Sequence, residues 1–151
     1  MTRQRHQLSA SVFVVLRRRD TICLLRRATT GWMDGYLSLP AGGLDAHETI
    51  RDAAIREARE EIGITLTPRT LDYAHTLHSL TEGKDWLGHF FVAIEWVGEP
   101  RICEPHKHSA LIWAPIASLP DDMIPYVRQS LLNIEEGLAY SEYGWGVPAS
   151  L

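Results

Sequence analysis

The apolar residues of this 151-residue chain fall in short runs separated by polar turns. Residues 11–16 and 21–25 are apolar and rich in β-branched side chains, and the polar residues 17–20 between them predict a β-hairpin. The same pattern predicts further strands over residues 37–39, 71–80, 86–97 and 111–116. Residues 29–35 and 81–85 carry turn-forming side chains, and they predict loops.

A different spacing, with apolar residues every four positions, predicts a helix over residues 50–62. This apolar stripe consists of Ile50, Ala54 and Ala58. Thr49 stands in front of the stripe as an N-cap, with Asp52 three residues later as its capping-box partner. Gly63 follows the last helical residue and provides a C-terminal stop.

A second helix is predicted over residues 122–137, where apolar residues again recur on one side. The Pro-Ala-Gly-Gly segment 40–43 is expected to interrupt regular structure. The tail, residues 140–151, receives no functional assignment. Strands interrupted by two helices indicate a mixed α/β fold in which the helices pack on the faces of a sheet.

The composition indicates one globular domain that spans residues 1–151. Hydrophobic residues make up 45% and charged residues 23%, as in a chain that can bury a core. The formal net charge of -4 supplies no overall basic field, so neither nucleic acid nor a membrane is expected as a partner. A polyanionic substrate would therefore need local cations, and metal ions are the simplest source.

The two cysteines, Cys23 and Cys103, have no further cysteine at metal-site or redox spacing. We expect no disulfide framework, and a reducing cytoplasm is the natural setting for such a chain. Residues 1–7 are polar and lack the apolar segment of a signal peptide. No apolar run approaches the roughly 18 residues that span a bilayer.

Three glutamates near the end of the first helix carry the main chemical signal. Glu57, Glu60 and Glu61 stand at positions i, i+3 and i+4, which share one helix face. Their mutual repulsion and the helix dipole both disfavour this crowding, whereas a bound Mg²⁺ or Mn²⁺ would relieve it. The alternative is a solvated face with ordinary ion pairs, such as the one between Arg56 and Glu60.

The residues upstream of this cluster favour the metal site. Gly42 is followed after five residues by Glu48, and Arg56 and Glu57 come after seven more. The complete pattern is Gly42-x5-Glu48-x7-Arg56-Glu57-Ala58-x-Glu60-Glu61-x-Gly63-Ile64. It resembles the Nudix box at every defined position over 23 residues. Such a match at fixed spacing is very unlikely to arise by chance.

The resemblance implies an α/β/α sandwich with a mixed β-sheet and a loop-helix-loop metal site for Mg²⁺ or Mn²⁺. The implied metal site consists of Gly42, Glu48, Glu57, Glu60 and Glu61. Of these, the three helix glutamates would be the ligands, and Glu48 would support them from the loop. Arg56 would orient a ligand glutamate through a charge-assisted hydrogen bond. Gly42 and Gly63 would permit backbone turns at the two ends of the site.

A further carboxylate often joins such a site from a loop, as a metal ligand or a general base. Glu104 is the first candidate and Glu82 the second, and the alternative for each is an exposed loop charge. The histidines carry weaker signals. His75 and His78 are expected to be hydrogen-bonded structural residues, and the tract from His106 to His108 to be a loop.

Four residues are candidates for binding substrate. Arg26 and Arg27 end the second strand and could meet a phosphate, although the pattern favours a solvated strand end for each of them. Trp32 could stack on a base, and its alternative is packing in the core. Tyr126 could reach a base or a phosphate, and its alternatives are packing and solvent exposure. The segment Asp121-Asp122-Met123 stands near the start of the last helix, where enzymes that bind oxidised guanine carry an asparagine, and its sequence argues against specificity for 8-oxoguanine.

The resemblance implies hydrolysis of a pyrophosphate bond in a nucleoside diphosphate linked to another group. Signatures typical of ADP-ribose, diadenosine polyphosphate, NADH and coenzyme A members are missing. This favours a MutT-like enzyme that converts a (d)NTP to a (d)NMP and pyrophosphate. The alternatives are hydrolysis of a nucleotide sugar or a dinucleotide such as ADP-ribose, and a non-catalytic nucleotide-binding module. A homodimer is expected from the resemblance alone.

Overall fold

The computed structural model of the chain describes residues 2–146. In that range the strands are β1 (Ser9–Arg18), β2 (Thr21–Arg27), β3 (Leu37–Ser38), β4 (Ala41–Gly43), β5 (Asp72–Thr81), β6 (Lys84–Ala93), β7 (His108–Pro115) and β8 (Tyr140–Tyr143). The α-helices are α1 (Ile50–Ile62) and α2 (Pro125–Glu135). Short 3-10 helices cover Pro68–Thr70 and Ile116–Ser118.

The strands form one mixed sheet in the order β3-β2-β1-β6-β5-β8, with β4 paired to β1 and β7 paired to β2. Pairing is parallel between β1 and β6 and between β5 and β8, and antiparallel in the other pairs. Strand β1 lies in the middle and contributes to both faces, because successive side chains point to opposite sides.

Each face of the sheet is covered by one helix. Val12 and Val14 of β1 belong to the core cluster that contains the alanines of α1. Phe13 and Val15 belong to the cluster that contains Val127 of α2. The alanines let α1 approach the sheet closely, whereas the α2 face is filled with larger side chains. The predicted α/β/α sandwich with a mixed sheet is confirmed.

The hairpin predicted around residues 17–20 is confirmed, since Arg18 pairs with Thr21 across a two-residue turn. The helix predicted over residues 50–62 is confirmed at both ends. Thr49 accepts a hydrogen bond from the backbone N–H of Asp52 at 3.0 Å. Gly63 has φ 70°, a left-handed conformation that a glycine adopts at low cost.

The expected interruption at residues 40–43 was wrong for its last three residues. Ala41–Gly43 form β4, which pairs antiparallel with β1 and sets Gly42 opposite Val12. The φ of Gly42 is not positive, so this glycine does not serve the backbone turn that the resemblance implied. Its role follows instead from what lies beside it on α1.

Two other elements have ends that differ from the predicted ones. The strand predicted over residues 86–97 ends at Ala93, and Val97 forms a separate bridge with Thr65. The last helix begins only at Pro125, because a residue that precedes proline is disfavoured in the helical region. That residue is Ile124, whose ψ is 124°.

The tail contains a strand that the sequence pattern did not predict. Tyr140–Tyr143 pair in parallel with β5, and Trp145 Nε1 donates to the carbonyl of His78 at 3.0 Å. The run Tyr-Ser-Glu-Tyr lacks the apolar alternation of a half-buried strand, so its pairing depends on backbone contacts. The remainder of the predicted tail, from residue 147, lies outside the described residues.

Both cysteines are free, and Cys23 is fully buried in the core, as expected. Over residues 2–146, none of the helices combines the length and the apolar character that crossing a membrane requires.

Candidate active site

The glutamates of α1 divide between the interior and the surface. Glu57 and Glu61 are buried, with 8% and 7% of their surface exposed. Glu60 is exposed, since it lies at the rim of the same helix face. The two buried carboxylates point towards β4, where the backbone N–H of Ala41 donates to Glu61 Oε2 at 3.2 Å.

Gly42 leaves the space that the Glu57 carboxylate occupies. A Cβ atom added at Gly42 would overlap Oε1, Cδ and Oε2 of Glu57. A Cβ added at the neighbouring Gly43 would meet no atom within 4 Å. The two glycines of β4 therefore differ, and only Gly42 leaves room for a carboxylate. We call this space, which the Glu57 carboxylate fills, the cradle at Gly42.

Arg56 connects the loop before α1 with the carboxylates on the helix. Its Nε donates to Glu48 Oε2 at 3.0 Å and its Nη2 donates to Glu48 Oε1 at 2.6 Å. Its Nη1 donates to Glu57 at 2.8 Å and to Glu60 at 3.3 Å. The hydrogen bonds from Arg56 lower the pKa of Glu48 and, in return, raise the pKa of Arg56. This bidentate pair fixes the guanidinium that aims Glu57.

The surroundings of the two buried carboxylates disfavour their charged forms. Burial, followed by the negative charge of Glu57, raises the pKa of Glu61 to about 9. Burial also raises the pKa of Glu57, although Arg56 opposes this shift. Both side chains project from the same helix face towards β4. A proton or a cation is needed to bring two such groups together away from water.

The loop after β6 brings Glu104 to this end of α1. The backbone N–H of Cys103 donates to the carbonyl of Glu61 at 3.1 Å, which ties the loop to the helix end. The charge of Glu104 contributes to the raised pKa of Glu61, and Lys107 pairs with Glu104 at 3.3 Å. Glu82 lies elsewhere and accepts a hydrogen bond from Trp32 Nε1 at 3.2 Å. The structure thus brings Glu104, and not Glu82, to the helix glutamates.

These residues suit a hard divalent cation. All the carboxylate donors are oxygen atoms, which Mg²⁺ and Mn²⁺ prefer. The cradle at Gly42 and the crowding of Glu57 against Glu61 are features that a cation would stabilise. In residues 2–146, no three His, Cys, Asp or Glu side chains are already gathered as a metal site. Glu60 would have to turn inward, because Arg56 holds it at the rim.

An aromatic pocket of about 270 Å³ lies on the other side of β1. It is lined by Ser11, Phe13, Trp32, Thr81, Glu82, Trp86 and Tyr126. The rings of Trp86 and Tyr126 meet edge to face with centroids 5.1 Å apart. Since Ser11 pairs with Gly43 in the sheet, the pocket floor is adjacent to the glycine strand of the carboxylate site.

The arginines at the end of β2 have local partners. Arg26 Nη1 donates to the carbonyl of Gly35 and to Asp122, both at 2.7 Å. Arg27 donates to the carbonyl of Trp32 at 3.0 Å and stacks over its ring at 4.9 Å from the centroid. Both arginines therefore hold the loop after β2, and neither lines the aromatic pocket. Asp122 is directed to Arg26, which lowers the pKa of Asp122.

His108 is a residue of this site that the sequence pattern did not predict. The loop expected there was wrong at this residue, which begins β7 and is 94% buried, with its Nε2 3.9 Å from Glu61 Oε2. Burial lowers the pKa of His108. Sequence spacing offered no signal, because the pairing of β7 is irregular at this point. His75 and His78 are hydrogen-bonded to their neighbours, as expected.

Known proteins resemble the chain in sequence and in fold. A model described as NUDIX domain matches residues 5–133. An 8-oxo-dGTP diphosphatase of Escherichia coli (strain K12) is 29% identical over 126 residues, covering 83% of this chain and 94% of that protein. Another, of Proteus vulgaris, is 30% identical over 93 residues, covering 62% of this chain and 81% of that protein.

A crystal structure of a MutT NUDIX hydrolase from Burkholderia pseudomallei superposes with a TM-score of 0.77 at 28% identity, covering 84% of this chain and 98% of that one. A MutT protein from Methanosarcina mazei Go1, at 21% identity and a TM-score of 0.74, shares the fold. The matched segment contains the whole carboxylate site and the elements that hold it. The chain belongs to the Nudix family, and it is a hydrolase of that family.

Proposed function

We propose that the chain is a Mg²⁺-dependent pyrophosphohydrolase that converts a (d)NTP to a (d)NMP and pyrophosphate. The observation that carries the proposal is the burial of Glu57 and Glu61 side by side against the cradle at Gly42. An ordinary solvated helix face would leave both carboxylates in water. The relatives named as 8-oxo-dGTP diphosphatases support a nucleoside triphosphate as the substrate.

Each residue of the carboxylate site has a distinct task in this proposal. Glu57, Glu60 and Glu61 hold Mg²⁺ (or Mn²⁺), and Glu104 completes the site as a further ligand or as the base that takes a proton from water. Arg56 aims Glu57, and Glu48 holds Arg56 in place. The cation, when bound, polarises a phosphoryl group and lowers the pKa of the attacking water. In the reaction a water would lose a proton to Glu104, its oxygen would bond to phosphorus, and the anhydride P–O bond would break as pyrophosphate leaves.

The aromatic pocket is the proposed site of the base. Trp32 and Tyr126 contribute ring faces and edges, and every base has a π-face that stacks on such rings. Tyr126 is buried, and burial raises its pKa to about 12, so the hydroxyl is neutral. Arg27 positions the Trp32 loop, while Arg26 and Asp122 hold the other end of that loop.

The test is a substrate panel with Mg²⁺ that includes nucleoside triphosphates, nucleotide sugars and dinucleotides. We expect inorganic pyrophosphate to be released from a triphosphate, and EDTA to abolish the reaction. Glu61→Gln should cut turnover by roughly 100-fold or more at unchanged fold. Glu99→Gln removes an exposed glutamate paired with Arg18, and this control should keep full activity.

Two results would contradict the proposal. Turnover that persists after chelation, or that survives in Glu61→Gln, would remove the metal site from the reaction. Hydrolysis confined to nucleotide sugars or dinucleotides, without release of inorganic pyrophosphate, would contradict the proposed substrate. It would not contradict the proposed metal site.

A further inference from the structure

His108 lacks the hydrogen bonds that a buried histidine normally makes. It is 94% buried, and its Nδ1 has no hydrogen-bond partner among the described residues. His75 is buried to a similar degree, yet its Nδ1 bonds the carbonyl of Leu138 and its Nε2 bonds Ser141. The Nε2 atom, 3.9 Å from Glu61 Oε2, has no hydrogen-bond partner among the described residues either. Buried polar groups are nearly always paired, so this unpaired ring nitrogen requires an explanation.

An irregularity in the sheet aims this histidine at the carboxylate site. Ala110 pairs with Arg26 of β2, but the next pair joins His108 to Arg27, so Ser109 is an extra residue in β7. Regular alternation would put His108 on the α2 face together with Ile112. The bulge shifts the alternation by one residue and turns His108 to the α1 face. Bulges commonly redirect a side chain next to an active site.

The geometry suits a shared ligand better than a hydrogen bond. His108 Nε2 lies 3.9 Å from Glu61 Oε2, which is too long for a hydrogen bond. Two atoms that bind one ion at about 2.1 Å each can be up to about 4.2 Å apart. The backbone N–H of His108 also donates to the carbonyl of Glu104 at 3.1 Å, which fixes the histidine beside another proposed ligand.

We propose that His108 supplies a nitrogen ligand to the cation held by the carboxylates of α1, and that the site therefore favours Mn²⁺ over Mg²⁺. The inference rests on the metal site of the proposed function. Imidazole nitrogen binds first-row transition metals well, whereas Mg²⁺ prefers oxygen donors and water. One nitrogen in a set of carboxylates thus changes metal preference without changing the reaction.

The experiment measures Mn²⁺ bound to the intact chain by pulsed electron paramagnetic resonance. We expect ¹⁴N modulation from a directly bound imidazole, and its replacement by ¹⁵N modulation when only the histidines are ¹⁵N-labelled. His108→Gln should lose the nitrogen signal and lower the ratio of Mn²⁺ to Mg²⁺ affinity by about tenfold. His106→Gln, at an exposed position two residues away, is the control and should keep both.

The labelled wild-type chain tests the ligand even if His108→Gln fails to fold. Bound Mn²⁺ without imidazole coupling, or coupling that persists in folded His108→Gln, would overturn the nitrogen ligand and leave the carboxylate site intact. Absence of any specific Mn²⁺ or Mg²⁺ binding would instead overturn the metal site, and the proposed function with it.

Discussion

The carboxylate site and the aromatic pocket lie on opposite faces of β1 and are built in different ways. Glu57 and Glu61 project from one helix and are held by the cradle at Gly42 and by a backbone N–H of β4. The pocket joins a loop to a hairpin turn through the hydrogen bond from Trp32 to Glu82. Thr29, Met33 and Glu82 in these two segments have positive φ.

This difference indicates that the carboxylate site and the aromatic pocket contribute to different steps of the reaction. A site that depends on fixed carboxylates needs regular elements whose backbone holds them, and small displacements there cost much of the rate. In the pocket, Trp32 and Glu82 lie outside the strands and helices, and such residues can change their contacts with little effect on the fold. We therefore expect substitutions in the carboxylate site to lower turnover, and substitutions in the pocket to weaken substrate binding.

The largest effect is expected from Gly42→Ala. The added methyl group would displace the Glu57 carboxylate, so turnover and Mg²⁺ affinity should fall by roughly 100-fold. The φ of Gly42 suits alanine, so thermal unfolding should change little. Steady-state kinetics and calorimetric Mg²⁺ titration would measure both. Gly43→Ala is the matched control, and equal activity in the two variants would contradict the cradle.

A smaller effect is expected from Trp32→Ala. Loss of one stacking surface costs about 1–3 kcal/mol, so KM should rise by about tenfold or more while kcat stays nearly constant. Trp145→Ala is the control, because that ring lies over His78 and outside the pocket. An unchanged KM in Trp32→Ala, or a fall in kcat alone, would show that Trp32 does not contribute to substrate binding.

The smallest effect is expected from Thr49→Ala at the start of α1. It removes the side-chain acceptor of the backbone N–H of Asp52, which costs about 1 kcal/mol in the free energy of unfolding. Urea denaturation should detect this loss, with kcat within about twofold of wild type. Thr49→Ser keeps the acceptor and should keep the stability. A large fall in kcat for Thr49→Ala would contradict this expectation, because it would show that the N-cap affects the glutamates at the other end of the helix.

The predictions that were confirmed rest on the spacing of residues within one segment of the chain. The helix limits at Thr49 and Gly63 and the crowding of the glutamates follow from periods of three and four residues along one segment. Features made by distant segments could not be predicted in this way. The cradle at Gly42 depends on contact with Glu57, and the placement of His108 depends on a bulge against Arg27.

The exposure of Glu60 shows the same limit within the helix. Periodicity put it on one face with Glu57 and Glu61, but the amount of that face that the sheet covers is a property of the packing. The substrate candidates Arg26, Arg27, Trp32 and Tyr126 remain proposals, of which the last two line a pocket. Side chains from five separate segments form that pocket, and no spacing within one segment encodes it.

The short strand β8 also covers part of an edge of the sheet. Without Tyr140–Tyr143, part of the outer side of β5 would present unpaired N–H and C=O groups to other chains. Open edges of this kind recruit further strands and seed aggregates. The side chain of Gln129 fastens the covering strand through Ser141 and the carbonyl of Glu142. A four-residue strand thus replaces part of the ten-residue edge of β5 as the outer edge of the sheet, and so short an edge offers few groups for another strand to pair with.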